Sequence, residues 1–163
     1  MTIPFGTSIT NESLTVFDLD CKNKVEVIEY LAGLLLKAGY VKETYLSNVL
    51  AREAIMPTGL LTKAGGVAIP HTDSEHVIRS SMAIGLLKKP VTFNNMAAPS
   101  EDVEVRLVFL LAIAEKTAVI TVLSRMAEMF LDPDVLSRTF EMKNSKELST
   151  YISTLLNKNA VTT

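Results

Sequence analysis

The twelve residues from Gly65 to His76 constrain the fold of this chain more than any other segment. Two glycines open the segment and permit backbone conformations that other residues avoid. Residues 67–69 are apolar and predict a short buried strand. Pro70 fixes its own φ angle and favours an extended conformation in the residue before it. We therefore expect His71 to lie just past the end of a strand, on a rigidly held loop.

The remaining apolar patterns predict one small domain with helices on both faces of a sheet. Strands are predicted over residues 15–19, 67–69, 82–87 (closed by Lys-Lys-Pro) and 103–113. Helices are predicted over about 23–38, 42–55, 117–130 (with Thr117 as its cap), 132–140 and 144–156. This order of elements favours an α/β fold, a three-layer α/β/α sandwich with a small central sheet. We predict a single domain over residues 1–163, with an ordered core over about 10–157 and a polar, frayed tail from Asn157.

Composition excludes several classes of function. The net charge is −2 and no basic stripe is present, so we expect no nucleic-acid partner. The single cysteine, Cys21, excludes an internal disulfide and fits a reducing compartment. The longest apolar runs are far shorter than the roughly 18 residues of a membrane helix, and no signal peptide is evident. We expect a cytoplasmic protein that is not embedded in a membrane.

The chemistry expected of His71 is nucleophilic. A neutral imidazole can attack phosphorus and carry a phosphoryl group, and the transition state then needs cations and N–H donors around it. The nearby candidates are a cation, a hydroxyl and three backbone N–H groups: Arg52, Thr58, Gly66, Thr72 and Asp73. This chemistry demands no metal and no cofactor.

Two motifs carry a resemblance to a known family. Residues 52–59 (Arg-Glu-Ala-Ile-Met-Pro-Thr-Gly) and 66–71 (Gly-Val-Ala-Ile-Pro-His) resemble enzyme IIA of the bacterial sugar phosphotransferase system, in its fructose–mannitol superfamily. The runs Met-Pro-Thr-Gly and Pro-His-Thr-Asp-Ser-Glu-His are most similar to the galactitol type. The resemblance extends over about residues 10–157 and implies a three-layer fold with a mixed sheet.

The resemblance also implies a function. His71 would accept a phosphoryl group on Nε2 from the histidine-containing phosphocarrier protein, while the protein holds Nδ1. It would then pass the group to a cysteine of an enzyme IIB, which works with a membrane enzyme IIC in uptake of a galactitol-type sugar or polyol. Arg52 matches a family arginine that offsets phosphoryl charge. Mannitol- and fructose-type members carry a second histidine where this chain has Val119, and His76 could take part of that role.

Several alternatives remain open from the residues alone. The chain could be a regulatory enzyme IIA-like protein in which phosphorylation of His71 controls partner binding. Asp73 and Glu75 with the two histidines could form a metal site. His76 could be a solvated loop residue, Arg52 could only pair with Glu53 or a neighbouring helix, and the Thr58 hydroxyl could only stabilise a turn. The permease recognises the sugar in these systems, so galactitol is a label by resemblance.

Overall fold

A five-stranded sheet between two layers of helices forms the fold, in a computed structural model that describes residues 9–160. The strands are β1 (Thr15–Leu19), β2 (Gly59–Leu61), β3 (Gly66–Ala68), β4 (Ser81–Asn94) and β5 (Asp102–Ala112). The helices are α1 (Lys24–Lys37), α2 (Tyr45–Ile55), α3 (Val119–Leu131), α4 (Pro133–Phe140) and α5 (Ser145–Ala160). Short 3-10 turns lie at Glu12–Leu14, Ser74–His76 and Lys116–Ala118. The predicted order of elements is confirmed.

The sheet is mixed, with strand order β1-β4-β5-β3-β2. β1 runs parallel to β4, and β3 runs parallel to β5, while the pairs β4–β5 and β2–β3 are antiparallel. Because β3 and β5 are parallel, their carboxyl ends reach the same edge of the sheet. The segment after β3 and the start of α3 are therefore brought together there.

Each face of the sheet carries its own apolar core. Successive side chains of a strand point to opposite faces, so Ala83 and Leu87 of β4 pack with α1 and α2, whereas Ile84 and Leu86 pack with α3, α4 and α5. Phe109 of β5 belongs to the second core, and its ring lies 5.6 Å from that of Phe130 on α3. The predicted three-layer α/β/α arrangement is confirmed.

β4 is twice as long as predicted, because the run Lys88-Lys89-Pro90 does not end it. The pairing of β4 with β5 is interrupted between Leu86 and Val91, where the register shifts. Lys88, Lys89 and Pro90 are exposed within this irregularity. A bulge leaves a residue unpaired, so the missing N–H of a proline breaks no ladder bond there.

β2 was missed by the sequence patterns, because three residues are too few to show a periodicity. A tight turn joins it to β3, with Thr62 N donating to the Gly65 carbonyl oxygen at 2.9 Å. Gly65 has φ +149°, a value that residues with a Cβ rarely adopt. A Cβ at this position would also lie 3.1 Å from the Phe140 ring. The first glycine of the pair is therefore required by the turn itself.

Helix ends were predicted with mixed success. Asn23 caps α1 by accepting a hydrogen bond from Glu26 N at 3.0 Å, as its pattern predicts. Asp132 likewise caps α4, accepting from Asp134 N at 3.0 Å. Thr117 was wrong as the cap of α3, because it lies inside a 3-10 turn and Ala118 occupies the cap position. α2 begins at Tyr45, three residues later than predicted, since the Lys42 N–H bonds to the His76 carbonyl at 2.9 Å instead of starting a helix.

The polar, frayed tail predicted from Asn157 stays a prediction. The backbone of α5 continues through Ala160, and residues 161–163 lie outside the described part of the chain. Over residues 9–160, the helices are all too short or too polar to cross a bilayer.

Candidate active site

A cavity of about 600 Å³ lies at the sheet edge where β3 and β5 end. Residues from the segment after β3, from α2 and from the start of α3 line it: Arg52, His71, Thr72, Asp73, Ser74, Glu75, Lys116, Val119, Ile120 and Leu123. Leu111 of β5 donates its N–H to the Pro70 carbonyl at 3.0 Å, which fixes the loop next to His71. The predicted position of His71, just past a strand end on a held loop, is what the structure has.

The imidazole of His71 is held through one ring nitrogen. Its Nδ1 lies 2.8 Å from the carbonyl oxygen of Ile69. A carbonyl oxygen only accepts hydrogen bonds, so Nδ1 carries the proton and donates it. In the neutral ring the lone pair is then on Nε2, which is the nitrogen available for attack.

The surroundings of His71 favour its neutral form. Burial is the main cause, and it lowers the pKa of His71 below the ordinary value of 6.5. The hydrogen bond to Ile69 acts in the opposite direction, the Arg52 cation lowers the pKa further, and Asp73 raises it. The net pKa is lowered, so the nucleophilic form persists at neutral and mildly acidic pH.

Arg52 lies in the last turn of α2 and reaches the same cavity. Its Nη1 is 3.9 Å from Asp73 Oδ1, at the upper limit of an ion pair, and the Asp73 side chain is 74% exposed. Such an exposed, long pair contributes little to stability. The Nε of Arg52 is buried and has no hydrogen-bond partner among residues 9–160. Because the pair of Nη1 with Asp73 is long and exposed, the guanidinium has capacity left for an anion in the cavity.

Thr58 is not a phosphoryl-contacting hydroxyl, in contrast to one of the sequence predictions. Its hydroxyl donates to Glu53 Oε2 at 2.9 Å, and it accepts the N–H of Ile69 at 3.3 Å. Its backbone N–H donates to Glu53 Oε1 at 2.9 Å. Thr58 is 3% exposed and does not line the cavity. The alternative of an Arg52–Glu53 ion pair is therefore not what the structure has, because Glu53 binds Thr58.

Gly66 is also outside the site. It begins β3, paired with Val105 of β5 and Leu61 of β2, whereas His71 follows the opposite end of the strand. A Cβ on Gly66 would lie 2.0 Å from the Glu104 carbonyl oxygen, so the glycine permits close packing of two strands. Its role is structural.

Thr72 and Asp73 do line the cavity, as predicted. Thr72 is 9% exposed, and Asp73 is open to solvent. Among residues 9–160, the backbone hydrogen bonds outside regular elements do not use the N–H of either residue. These two donors remain available to a ligand in the cavity.

His76 is held away from the cavity. Its Nδ1 is 2.8 Å from the hydroxyl of Thr44 at the start of α2, and its Nε2 is 3.7 Å from Glu75 Oε1. The side chain is 16% exposed, so it is not a solvated loop histidine either. It is absent from the cavity lining, and the prediction that it supports His71 gains no support from this geometry.

Two polar residues of the cavity were missed by sequence reasoning. Lys116, in the 3-10 turn before α3, supplies a second cation, and Ser74 supplies a hydroxyl. A single lysine between strand and helix carries no local signal, because only the parallel pairing of β3 with β5 brings it to His71. Val119 lies in the lining, where the resemblance placed the missing second histidine.

The structure does not bring together the side chains of the alternative metal site. Within the described residues, His, Cys, Asp and Glu side chains nowhere form a group of three or more that could hold a metal ion. Asp73 instead faces Arg52, and Glu75 faces His76.

A half-buried histidine held at Nδ1, a neighbouring arginine and a cavity at a sheet edge are the parts that acceptance of a phosphoryl group would require. Residues 8–154 match the sequence model of the family described as "Phosphoenolpyruvate-dependent sugar phosphotransferase system, EIIA 2". The chain belongs to this family.

Curated and structural relatives agree with the family and vary in role. The transcriptional regulator ManR of Bacillus subtilis is 29% identical over 90% of this chain and 21% of its own length. The galactitol-specific EIIA component of Escherichia coli K12 is 29% identical over 69% of this chain and 75% of its own. The solution structure of the mannitol-specific cryptic enzyme IIA CmtB from Escherichia coli superposes with a TM-score of 0.73, at 21% identity, over 93% of this chain and 99% of that one. The chain spans about a fifth or less of the length of several curated relatives.

Proposed function

We propose that this chain is a phosphoryl carrier in which His71 is the acceptor. The observation that carries the proposal is the 2.8 Å hydrogen bond from Nδ1 to the Ile69 carbonyl, which leaves the lone pair on Nε2. In the step, an Nε2–P bond forms and the donor's bond to phosphorus breaks, while Nδ1 keeps its proton. Arg52 and the backbone N–H groups of Thr72 and Asp73 compensate the negative charge of the phosphoryl oxygens.

The proposed donor is the histidine-containing phosphocarrier protein, and the proposed acceptor is the cysteine of an enzyme IIB that works with a membrane enzyme IIC. In the second step the P–N bond of His71 breaks as a thiolate of enzyme IIB forms a P–S bond. No cofactor is needed, because both steps exchange one covalent bond to phosphorus for another. A cytoplasmic location fits this pair of partners and the single cysteine.

Galactitol is the proposed substrate class of the transport system. The match to the galactitol-specific component supports it, together with the Pro-His-Thr-Asp-Ser-Glu-His run. The absence of a second histidine at Val119 is consistent with this type, since the resemblance places that histidine in the mannitol- and fructose-type members.

A regulatory role is the second candidate. It is favoured by one observation, the match of 90% of this chain to a segment of a transcriptional regulator. In this case phosphorylation of His71 would control which partner binds, with no transfer to a sugar.

Phosphorylation with phosphoenolpyruvate, enzyme I and the phosphocarrier protein tests the acceptor. We expect one phosphoryl group, labile in acid, which mass spectrometry at alkaline pH maps to His71. His71→Gln should abolish incorporation, and His76→Gln is the matched control that should keep it. Phosphate on the His71→Gln variant would refute the assignment.

Addition of a galactitol-type enzyme IIB distinguishes transport from regulation. Loss of phosphate from His71 with gain of phosphate on the enzyme IIB cysteine supports transport. Stable phosphate on His71 in the presence of a competent enzyme IIB supports the regulatory role.

A further inference from the structure

A chain of buried hydrogen bonds connects helix α2 to the imidazole of His71. Glu53 accepts from the Thr58 hydroxyl and from the Thr58 N–H, each at 2.9 Å. The Thr58 oxygen accepts the N–H of Ile69 at 3.3 Å, and the Ile69 carbonyl accepts from His71 Nδ1 at 2.8 Å. The chain of bonds therefore ends on the nitrogen that decides which tautomer His71 adopts.

The direction of each bond in this chain is fixed by chemistry. Burial raises the pKa of Glu53, and the two hydrogen bonds from Thr58 oppose that rise. In its ionised form the carboxylate only accepts, so the single hydroxyl hydrogen of Thr58 points to Glu53. The lone pairs of the hydroxyl are then free for the Ile69 N–H. With its hydrogen directed to Glu53, the Thr58 hydroxyl is fixed in the rotation that presents a lone pair to the Ile69 N–H.

The Ile69 carbonyl is held from both sides along the backbone. Before it, the Ile69 N–H is bound to Thr58. After it, Pro70 has a fixed φ angle, and its own carbonyl accepts the Leu111 N–H at 3.0 Å. The carbonyl oxygen that accepts the hydrogen bond from His71 Nδ1 therefore has little freedom to turn.

Glu53 and Thr58 do not themselves reach the cavity. They are 4% and 3% exposed, and neither is among the residues that line the cavity. A phosphoryl group on His71 would touch neither of them.

We propose that Glu53 and Thr58 are positioning residues that hold the Ile69 carbonyl in place, and so keep the His71 proton on Nδ1 and the lone pair on Nε2. The meaning of this network for phosphoryl transfer rests on the proposed function. When the Nε2–P bond forms, the ring gains positive charge with the proton still on Nδ1, and the fixed carbonyl stabilises that charge. The network thus serves both the free and the phosphorylated imidazole.

The test is ¹⁵N NMR of the histidine ring nitrogens across a pH titration, with the rate of phosphate acceptance measured on the same samples. In the unmodified protein we expect a single neutral tautomer for His71, protonated on Nδ1. In Thr58→Val the Ile69 N–H loses its acceptor, so we expect a mixture of tautomers. We also expect the acceptance rate to fall about tenfold, the scale of one net hydrogen bond.

Matched variants separate the hydroxyl from mere packing. Thr58→Ser keeps the hydroxyl, and it should restore the single tautomer and most of the rate. Thr139→Val removes another buried threonine hydroxyl, whose donor bond to Val135 lies in α4, and should leave both readouts unchanged. If Thr58→Val does not fold, Glu53→Gln supplies the test, because its amide donates where the carboxylate accepted from Thr58.

Two results would overturn the inference. One is a single Nδ1-protonated tautomer with an unchanged rate in a folded Thr58→Val or Glu53→Gln protein. The other is Thr58→Ser losing as much as Thr58→Val. The NMR readout needs no phosphate donor, so a wild-type protein that holds the tautomer but accepts no phosphate would refute the proposed function and leave the positioning inference standing.

Discussion

Gly66→Ala probes how tightly β3, the strand that carries the site, must pack against β5. A Cβ at this position would lie 2.0 Å from the Glu104 carbonyl oxygen and 2.9 Å from its carbonyl carbon. An ordinary C···O contact is about 3.3 Å, so relief requires the two strands to separate by more than about 1 Å. Loss of two net hydrogen bonds costs about 1–3 kcal/mol, and overpacking adds about 1–3 kcal/mol. We expect unfolding free energy to fall by about 4 kcal/mol, since the gain of about 0.4–1 kcal/mol from a less flexible unfolded chain is too small to offset it.

Urea unfolding and thermal melting measure this loss. For a chain of this length, about 4 kcal/mol corresponds to a fall in Tm of roughly 8–16 °C. The rate of phosphate acceptance should also be lower at temperatures below the melting transition, because β3 leads directly to His71. Gly33→Ala is the matched control: it lies within α1 with nothing within 4 Å of its added Cβ, and should stabilise by about 0.5–1 kcal/mol. A Gly66→Ala protein within about 0.5 kcal/mol of wild type would refute the close-packing argument.

Three further predictions concern the site and the core beneath it. Because burial lowers the pKa of His71, the midpoint at which the acceptance rate falls on acidification should lie below pH 6.5. A drop centred at or above 6.5, matched by an NMR titration of His71 there, would contradict this. Arg52→Gln should slow phosphate acceptance about 10²-fold. It should also raise the pKa of His71, because the guanidinium lowers that pKa, and Arg52→Lys should recover part of both effects. An unchanged rate would remove Arg52 from the mechanism. Tyr45→Phe removes the 2.6 Å hydrogen bond to the buried Leu111 carbonyl, and urea unfolding should show a loss of about 1–3 kcal/mol, which an unchanged midpoint would contradict.

The sequence alone located His71 just past a strand end, because the signals around it are local. A short apolar strand followed by proline fixes the backbone on either side of the histidine, whatever the rest of the chain does. The capping residues Asn23 and Asp132 were predicted for the same reason, since a cap bonds to an N–H only two or three residues away. The three-layer fold followed from the order of these local elements.

Tertiary structure alone decided which side chains meet at His71. Gly66 and His76 are both close to it in sequence. Gly66 nevertheless lies at the start of β3, whereas His71 follows the end of that strand. The ring of His76 is hydrogen-bonded to the Thr44 hydroxyl and does not line the cavity. Lys116 is distant in sequence, and reaches the cavity because β3 and β5 run parallel and end at one edge.

The role of Thr58 shows the same limit at the level of single atoms. From sequence, its hydroxyl could stabilise a turn or bind phosphate, because one oxygen can serve either purpose. Its actual partners are Glu53 and Ile69, the latter eleven residues along the chain and directly after β3. A hydrogen bond depends on distances of tenths of an ångström, and only the packed positions of α2 and β3 determine those. The residue pattern determined that a histidine would follow the end of a strand. The packing of the helices on the sheet decided which groups form hydrogen bonds around that histidine.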